Sequence, residues 1–215
     1  MNALAPHTSE IFGSISTLEC IKPYLLVGGT ALSLQLGTRL SEDLDFMSWR
    51  RSRNEKREVD WPTIKRELES VGEIDSLDIL DIDHVEFKVR GVKISFYANP
   101  NYSPVCKEIE YLNNLRLADA MSIGAMKMEV MLRRSKFRDY YDIYSLLEAG
   151  YDLMDMIRIA LRYSGHRLKS KNLIAMLTRS DRFEPDANFA ALSPIYSVTP
   201  IDIENRIKAA LEGTM

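Results

Sequence analysis

Two aspartates separated by one residue, Asp43 and Asp45, are the pair in this sequence best suited to bind a metal ion. On an extended strand, residues two apart project from the same face, so the two carboxylates would lie side by side. Such hard oxygen ligands suit Mg²⁺ that bridges to nucleotide phosphates, and two such ions can stabilise both the attacking and the leaving oxygen of an in-line displacement at phosphorus. The pair therefore indicates chemistry on a phosphate ester or anhydride.

A Gly-Gly-Thr turn precedes these aspartates, with twelve residues between Thr30 and Asp43. Gly28 and Gly29 have no Cβ, so a phosphate can approach their backbone closely, and Thr30 offers a hydroxyl at a helix N-terminus, where anions are favoured. A Gly-Gly turn is most often only a turn, and two aspartates at a strand end are usually a solvated edge. Their order, in a strand–turn–helix–strand context, makes the combination a stronger indication of a nucleotide site than either part.

The elements that must position these residues follow from the spacing of apolar and breaker residues. In the first half we predict helices at residues 9–20, 30–36 and 61–71, with Gly37 ending the second. We predict strands at Tyr24–Val27, Asp43–Ser48, Leu77–Leu80, Val85–Val89 and Val92–Tyr97, and a tight turn at Arg90-Gly91.

From Asp119 onward the pattern becomes helical. The predicted helices are Met121–Leu132, Phe137–Leu147, Leu153–Tyr163, Lys171–Leu177 and Ile201–Leu211, the first capped by Asp119. We therefore predict an α+β fold, a mixed sheet flanked by helices and followed by a mostly helical C-terminal part. The predicted boundary divides the chain into domains 1–118 and 119–215.

Composition limits the class of protein. The 215 residues carry a net charge of −3, with 46% hydrophobic and 27% charged residues, which is typical of an ordinary globule. No apolar run approaches the roughly 20 residues of a membrane-spanning helix, and the N-terminus has no signal-peptide pattern. Two isolated cysteines, Cys20 and Cys106, are most simply reduced thiols. We expect a cytoplasmic protein with no membrane partner.

Half of the positive charge is concentrated in three segments. Residues 50–57, 133–138 and 158–171 hold five, four and five basic residues, which is 14 of the 28 Lys and Arg side chains. They could be separate solvated surfaces or a rim that attracts a polyanion, and only their arrangement in space distinguishes these readings.

Two segments resemble a known family. The stretch GGTALSLQLGTRLSEDLDF, residues 28–46, looks like the opening motif of the AbiEii/AbiGii toxin family within the polymerase-β-type nucleotidyltransferase superfamily. Residues 117–150, LADAMSIGAMKMEVMLRRSKFRDYYDIYSLLEAG, resemble that family's segment of a lysine, a helix and Arg-Asp-x-x-Asp. Together they cover about a quarter of the chain. Relatives include abortive-infection toxins and MenT-type enzymes that add nucleotides to tRNA acceptor ends.

The resemblance implies a nucleotidyltransferase core and assigns roles by position. Asp43 and Asp45 would bind the metal, two Mg²⁺ ions or Mn²⁺, and Gly28, Gly29, Thr30 and Lys127 would bind the triphosphate. Arg39 or Ser41 would orient the site. Asp142 would be a supporting catalytic carboxylate, with Asp139 as a second candidate for that role. The residues alone favour a different interpretation: Lys127 would be a surface lysine lying along an apolar helix, and the two later aspartates would be a helix cap and salt bridges to Arg134 or Arg138.

One position departs from the superfamily pattern. A third carboxylate is expected on a later strand, and Ser95 occupies the corresponding position. A serine cannot replace a carboxylate as ligand or base at neutral pH. Asp81, Asp83, Glu86 or Asp142 could supply the missing charge; otherwise the site binds one metal, or binds nucleotide without reaction.

The leading hypothesis is a Mg²⁺-dependent toxin enzyme that moves a nucleoside monophosphate from an NTP to a hydroxyl. The acceptor could be an RNA 3′ end, above all tRNA, or a small-molecule or protein hydroxyl, and a cognate antitoxin is an expected partner. The alternatives are a silent NTP- or RNA-binding module without the third carboxylate, and a purely structural partner protein.

Overall fold

A computed structural model describes residues 3–52, 54–55, 58–165 and 167–213 of the chain. In these residues seven strands form one mixed sheet in the order β3-β4-β5-β2-β1-β7-β6. The strands are β1 Leu25–Val27, β2 Leu44–Trp49, β3 Ile74–Asp81, β4 His84–Val89, β5 Val92–Asn99, β6 Glu108–Leu112 and β7 Leu115–Ala118. β2 pairs with β1 antiparallel and with β5 parallel, which places the predicted metal-binding strand at the centre of the sheet.

Helices cover the sheet and form the second half. They are α1 Pro6–Ser16, α2 Gly28–Leu36, α3 Trp61–Leu68, α4 Ala120–Val130, α5 Phe137–Glu148, α6 Leu153–Tyr163, α7 Ser170–Leu177 and α8 Pro200–Glu212. Gly37 ends α2 in the left-handed conformation at φ 65°, and the Asp119 side chain caps α4 by accepting from the Ser122 backbone N–H. These two helix boundaries are confirmed.

The two faces of the central strands differ in kind because side chains alternate along a strand. On one face the core packs around stacked and edge-on aromatic rings, among them Phe46 and Phe96 with centroids 5.1 Å apart. On the other face, β2 and β5 present Asp45 and Ser95 towards α4 and α6. The sheet thus supplies a hydrophobic core and a polar floor at once.

The predicted α+β class, with a mixed sheet flanked by helices and a helical second half, is confirmed. The hairpin of β6 and β7, however, lies in residues to which our sequence predictions assign no strand. The signal was present in the sequence: Glu108-Ile109-Glu110-Tyr111 and Leu115-Arg116-Leu117 alternate between polar and apolar residues on either side of Asn113-Asn114. The first strand is mostly exposed, and Asn113 lies in the turn at φ 49°. In the described residues every strand precedes Asp119, and a domain boundary there stays a prediction.

No helix in the described residues is long and apolar enough to cross a membrane.

The two cysteine thiols should react very differently. Cys20 is buried, and burial together with Glu67 raises its pKa to about 12, whereas Cys106 is exposed. Because the thiolate is the reactive form, Cys20 should be protected. We expect Ellman's reagent at pH 8 to titrate one thiol per native chain and two in denaturant; two fast-reacting native thiols would contradict the burial of Cys20, and the C106S variant is the control with none.

Candidate active site

The turn between β1 and α2 lies directly against Asp45. Val27, the last residue of β1, pairs with Asp45 in the β1–β2 register. Gly28 follows at φ +68°, a backbone conformation that residues with a side chain rarely adopt. A Cβ there would lie 2.7 Å from Asp45 Oδ2. The first residues of α2 therefore place free backbone N–H groups beside this carboxylate, where a phosphate bound to a shared cation would sit.

Position 29 also requires a residue without a side chain. A Cβ at Gly29 would lie 2.5 Å from Arg39 Nη2 and 3.2 Å from Ser41 Oγ, so the helix start packs directly on these residues. Thr30 is buried; its hydroxyl donates to the backbone carbonyl of Asp43 and lies 2.9 Å from Ser41 Oγ. The Thr30 and Ser41 hydroxyls thus fix the loop that carries Asp43.

Behind this turn lies a buried network of charges. The Arg39 guanidinium donates from Nε and Nη2 to both oxygens of Asp142, at 2.8 and 2.9 Å. Lys127 Nζ lies 2.6 Å from Asp142 Oδ2 and 3.1 Å from Asp139 Oδ1. Arg134 completes the network with two hydrogen bonds to Asp139, at 2.9 and 3.0 Å. Three cations and two carboxylates leave one net positive charge.

The network keeps Asp142, Asp139 and Lys127 ionised. Burial would raise the pKa of Asp142, but Arg39 and Lys127 lower it to about 2. Burial would also raise the pKa of Asp139, but Lys127 and Arg134 hold it below its usual value. Burial opposes the charge on Lys127, yet Asp142 and Asp139 hold its pKa above the usual value. Lys127 is therefore a fixed cation, with a side chain only 8% exposed, and not a surface lysine.

Asp45 is in the opposite situation. Burial, and then the neighbouring Asp43, raise the pKa of Asp45, and Lys93 and Lys127 only partly compensate. Asp43 immediately precedes β2, and Asp45 is its second residue. Two adjacent carboxylates with unfavourable mutual charge fit a divalent cation, since Mg²⁺ is usually bound through one or two carboxylates together with substrate phosphates. The described residues contain no group of three or more metal-ligating side chains.

These elements enclose a cavity of about 460 Å³. It is lined by Gly28, Gly29 and Asp45 on one side, by Lys93, Ser95 and Glu86 from the sheet, and by Lys127, Arg133, Arg134 and Arg167 from the helical half. Among the described residues that line this cavity, there are five Lys or Arg side chains and four carboxylates. A second cavity, of about 580 Å³, has six carboxylates against three arginines, a poor match for a triphosphate. The smaller cavity is the better candidate site.

Most of the predicted site residues thus come together. Gly28, Gly29, Asp45 and Lys127 line the cavity, whereas Thr30, Arg39, Ser41 and Asp142 lie behind its wall and hold it. The predicted alternative of a salt bridge from the later aspartates to Arg134 is present at Asp139. Arg138, the other predicted partner, pairs with Asp186 instead.

Two of the three basic segments contribute to the cavity, through Arg133 and Arg134 and through Arg167. In the segment 50–57, the residues Arg53, Lys56 and Arg57 lie outside the described residues, and Arg50 and Arg51 line the second cavity. Lys93 was missed as a site residue. The alternation in Val92–Tyr97 already places it on the face of Ser95, and that was the signal available.

Comparison with known proteins supports the same reading. A family model described as nucleotidyl transferase AbiEii toxin, type IV toxin–antitoxin system, matches residues 12–194. An uncharacterised Aquifex aeolicus protein, aq_aa25, is 26% identical over 99% of this chain and all of its own length. A Helicobacter pylori structure described as a candidate nucleotidyltransferase superposes with TM-score 0.56 at 15% identity, covering 96% of this chain and 92% of that one. JHP933 from Helicobacter pylori gives 0.51 at 17%, covering 98% and 94%.

Proposed function

This chain belongs to the AbiEii nucleotidyltransferase toxin family of type IV toxin–antitoxin systems, and from that premise we propose that it transfers a nucleoside monophosphate from an NTP to a hydroxyl on RNA. The observation that carries the proposal is the placement of Asp45 against the Gly28 turn, across the same cavity from the buried cation Lys127. Membership of a toxin–antitoxin family also implies an antitoxin partner.

In this proposal the backbone of Gly29 and Thr30, at the positive end of α2, binds the phosphates. Lys127 adds a cation whose position is fixed by Asp139 and Asp142, so little reorganisation is needed when phosphate charge arrives. Asp142 acts through Lys127 and Arg39 and is a positioning residue. Asp43 and Asp45 would hold Mg²⁺, which when bound would neutralise phosphate charge and polarise the reacting phosphorus.

The proposed acceptor is RNA, with tRNA as the first choice. Arg133, Arg134 and Arg167 line the cavity on its helical side, and the first and last have side chains 69% and 57% exposed. Exposed arginines beside a reaction site suit the phosphates of a polynucleotide, which supply much of the affinity in such complexes. A mononucleotide acceptor would not need them.

The experiment combines the purified protein, Mg²⁺, each α-labelled NTP in turn and total tRNA, with the Asp43→Ala/Asp45→Ala variant as control. We expect labelled RNA with the wild type and none with the variant, and omission of Mg²⁺ should have the same effect as the double substitution. Label on the protein itself would show a protein acceptor. No label with any NTP would contradict the proposed activity.

One observation favours a second candidate, an NTP- or RNA-binding module that does not react. Ser95 pairs directly with Asp45 in the parallel register of β2 and β5, so the expected position of the third carboxylate does carry a serine. This alternative predicts that Mg²⁺ and an NTP raise the melting temperature of the wild type while no label is transferred.

A further inference from the structure

Three residues form a row across adjacent strands on the floor of the cavity. Asp45 of β2 pairs with Ser95 of β5, and Ser95 pairs with Glu86 of β4. Directly paired residues project from the same face, and neighbouring strands lie about 4.8 Å apart, so the two acidic residues have Cα atoms roughly 10 Å apart on either side of the serine. All three line the cavity.

Ser95 leaves the middle of this row open. The residue is only 7% exposed, and its hydroxyl makes no well-aligned hydrogen bond to the described residues, although it lies near enough to the Asp45 carboxylate to act against the rise in the pKa of that group. A buried hydroxyl without a well-aligned partner is unusual, and this one lies between two carboxylates and borders the cavity. The small side chain leaves room there for a polar ligand that both carboxylates can reach.

Glu86 has one carboxylate oxygen in use and one that is not. Its Oε1 lies 2.8 Å from Lys93 Nζ and 3.4 Å from His84 Nε2, while no ion pair or hydrogen bond to the described residues uses its Oε2. Lys93 lies two residues before Ser95 on the same face, so it anchors the carboxylate at the edge of the row. The side chain of Glu86 is 25% exposed, which leaves it accessible to an acceptor.

The cavity also has two carboxylates on its helical side, and neither has an unused oxygen. Asp139 and Glu129 each have both oxygens bonded to two cationic side chains. These cations are Lys127 and Arg134 at Asp139, and Arg133 and Arg167 at Glu129. Of the cavity acids other than Asp45, only Glu86 therefore keeps an oxygen that no described residue occupies.

We propose that Glu86 is the catalytic base that activates the acceptor hydroxyl, in place of the carboxylate that position 95 lacks. The inference rests on the proposed function. Glu86 Oε2 takes the proton of the hydroxyl as its oxygen forms a bond to the α-phosphorus. The bond from that phosphorus to the β-phosphate oxygen breaks, pyrophosphate leaves with the electron pair, and the proton passes from Glu86 to solvent.

The test compares three variants with the wild type, using α-labelled NTPs, Mg²⁺ and total tRNA. E86Q should lower the rate of label transfer at least about 100-fold, the usual scale for loss of a general base. It should leave unchanged the rise in melting temperature caused by Mg²⁺ and NTP. Adding S95D to E86Q should raise the rate of label transfer at least about tenfold above that of E86Q, because it places a carboxylate beside Asp45. Asp78 pairs with Glu86 on β3 and is exposed, so D78N is the matched control and should retain full activity.

The inference would be overturned if E86Q retained more than a tenth of the wild-type rate. It would also be overturned if E86Q lost NTP binding together with transfer, because Glu86 would then be a binding residue. A wild type that transfers no label would instead overturn the proposed function and this inference with it. Whether the wild-type protein transfers label therefore distinguishes the two failures.

Discussion

Replacing Asp142 with asparagine is expected to lower the free energy of unfolding by about 3–5 kcal/mol, the usual cost of removing one partner from a buried ion pair. Asparagine has nearly the same size, so the loss is electrostatic. Arg39, with a side chain 3% exposed, would lose the one carboxylate that it contacts among the described residues, and Lys127 would lose one of two. Urea denaturation of both proteins measures the difference.

A surface ion pair provides the control. Glu19 and Lys22 are 2.7 Å apart but 70% and 52% exposed, so E19Q should unfold at the same urea concentration as the wild type. A loss below about 1 kcal/mol for D142N would show that the buried pair is no stronger than a typical surface pair.

The difference between D142N and the wild type should also depend on pH. The pKa of Asp142 is lowered from 3.8 to about 2 by Arg39 and Lys127 acting against burial. A lowered folded-state pKa contributes stability above the unfolded value, and this contribution disappears as pH falls through the folded value. The stability gap should therefore be constant above about pH 5 and narrow between about pH 4 and pH 2.

Replacing Gly28 with alanine is expected to reduce nucleotidyl transfer at least about 100-fold, the scale of effect of an ångström-sized displacement of a reacting group. The new Cβ would lie 2.7 Å from Asp45 Oδ2, so the carboxylate must move. Backbone strain at φ +68° adds about 1–3 kcal/mol of destabilisation. The labelled-NTP assay and thermal melting separate the two effects.

Gly150 offers a matched control, because its φ is +86° and an added Cβ would meet nothing within 4 Å. G150A should therefore show a similar loss of stability with transfer unchanged. Equal loss of transfer in both variants would show that strain, and not the displaced Asp45, is responsible.

The sequence was most informative where chemistry depends on neighbours along the chain. The turn at Gly28, the helix that Gly37 ends and the strand that carries Asp45 are all local, and each lies within two residues of its predicted position. Position 95 was singled out by the superfamily pattern as the place of the missing third carboxylate, and the structure pairs Ser95 with Asp45.

The charge network could not be predicted in the same way. Arg39 and Asp142 are 103 positions apart, and no periodicity links them. Without the family resemblance, Lys127 would have been assigned to the surface, since a lysine beside an apolar helical stripe usually lies along it with its ammonium in water. What keeps Lys127 inside is two carboxylates from α5, and their positions are known only once the helices have packed.

The long-range contact between Arg39 and Asp142 also sets an order in time. A ribosome makes Arg39 about 100 residues before the carboxylate that neutralises it, and Lys127 comes late as well. Chains fold from the N-terminal side as they emerge, so the sheet can begin to form before the carboxylate that pairs with Arg39 has been made. A nascent chain therefore lacks the contacts of Arg39 and Lys127 with Asp142 until α5 has left the exit tunnel.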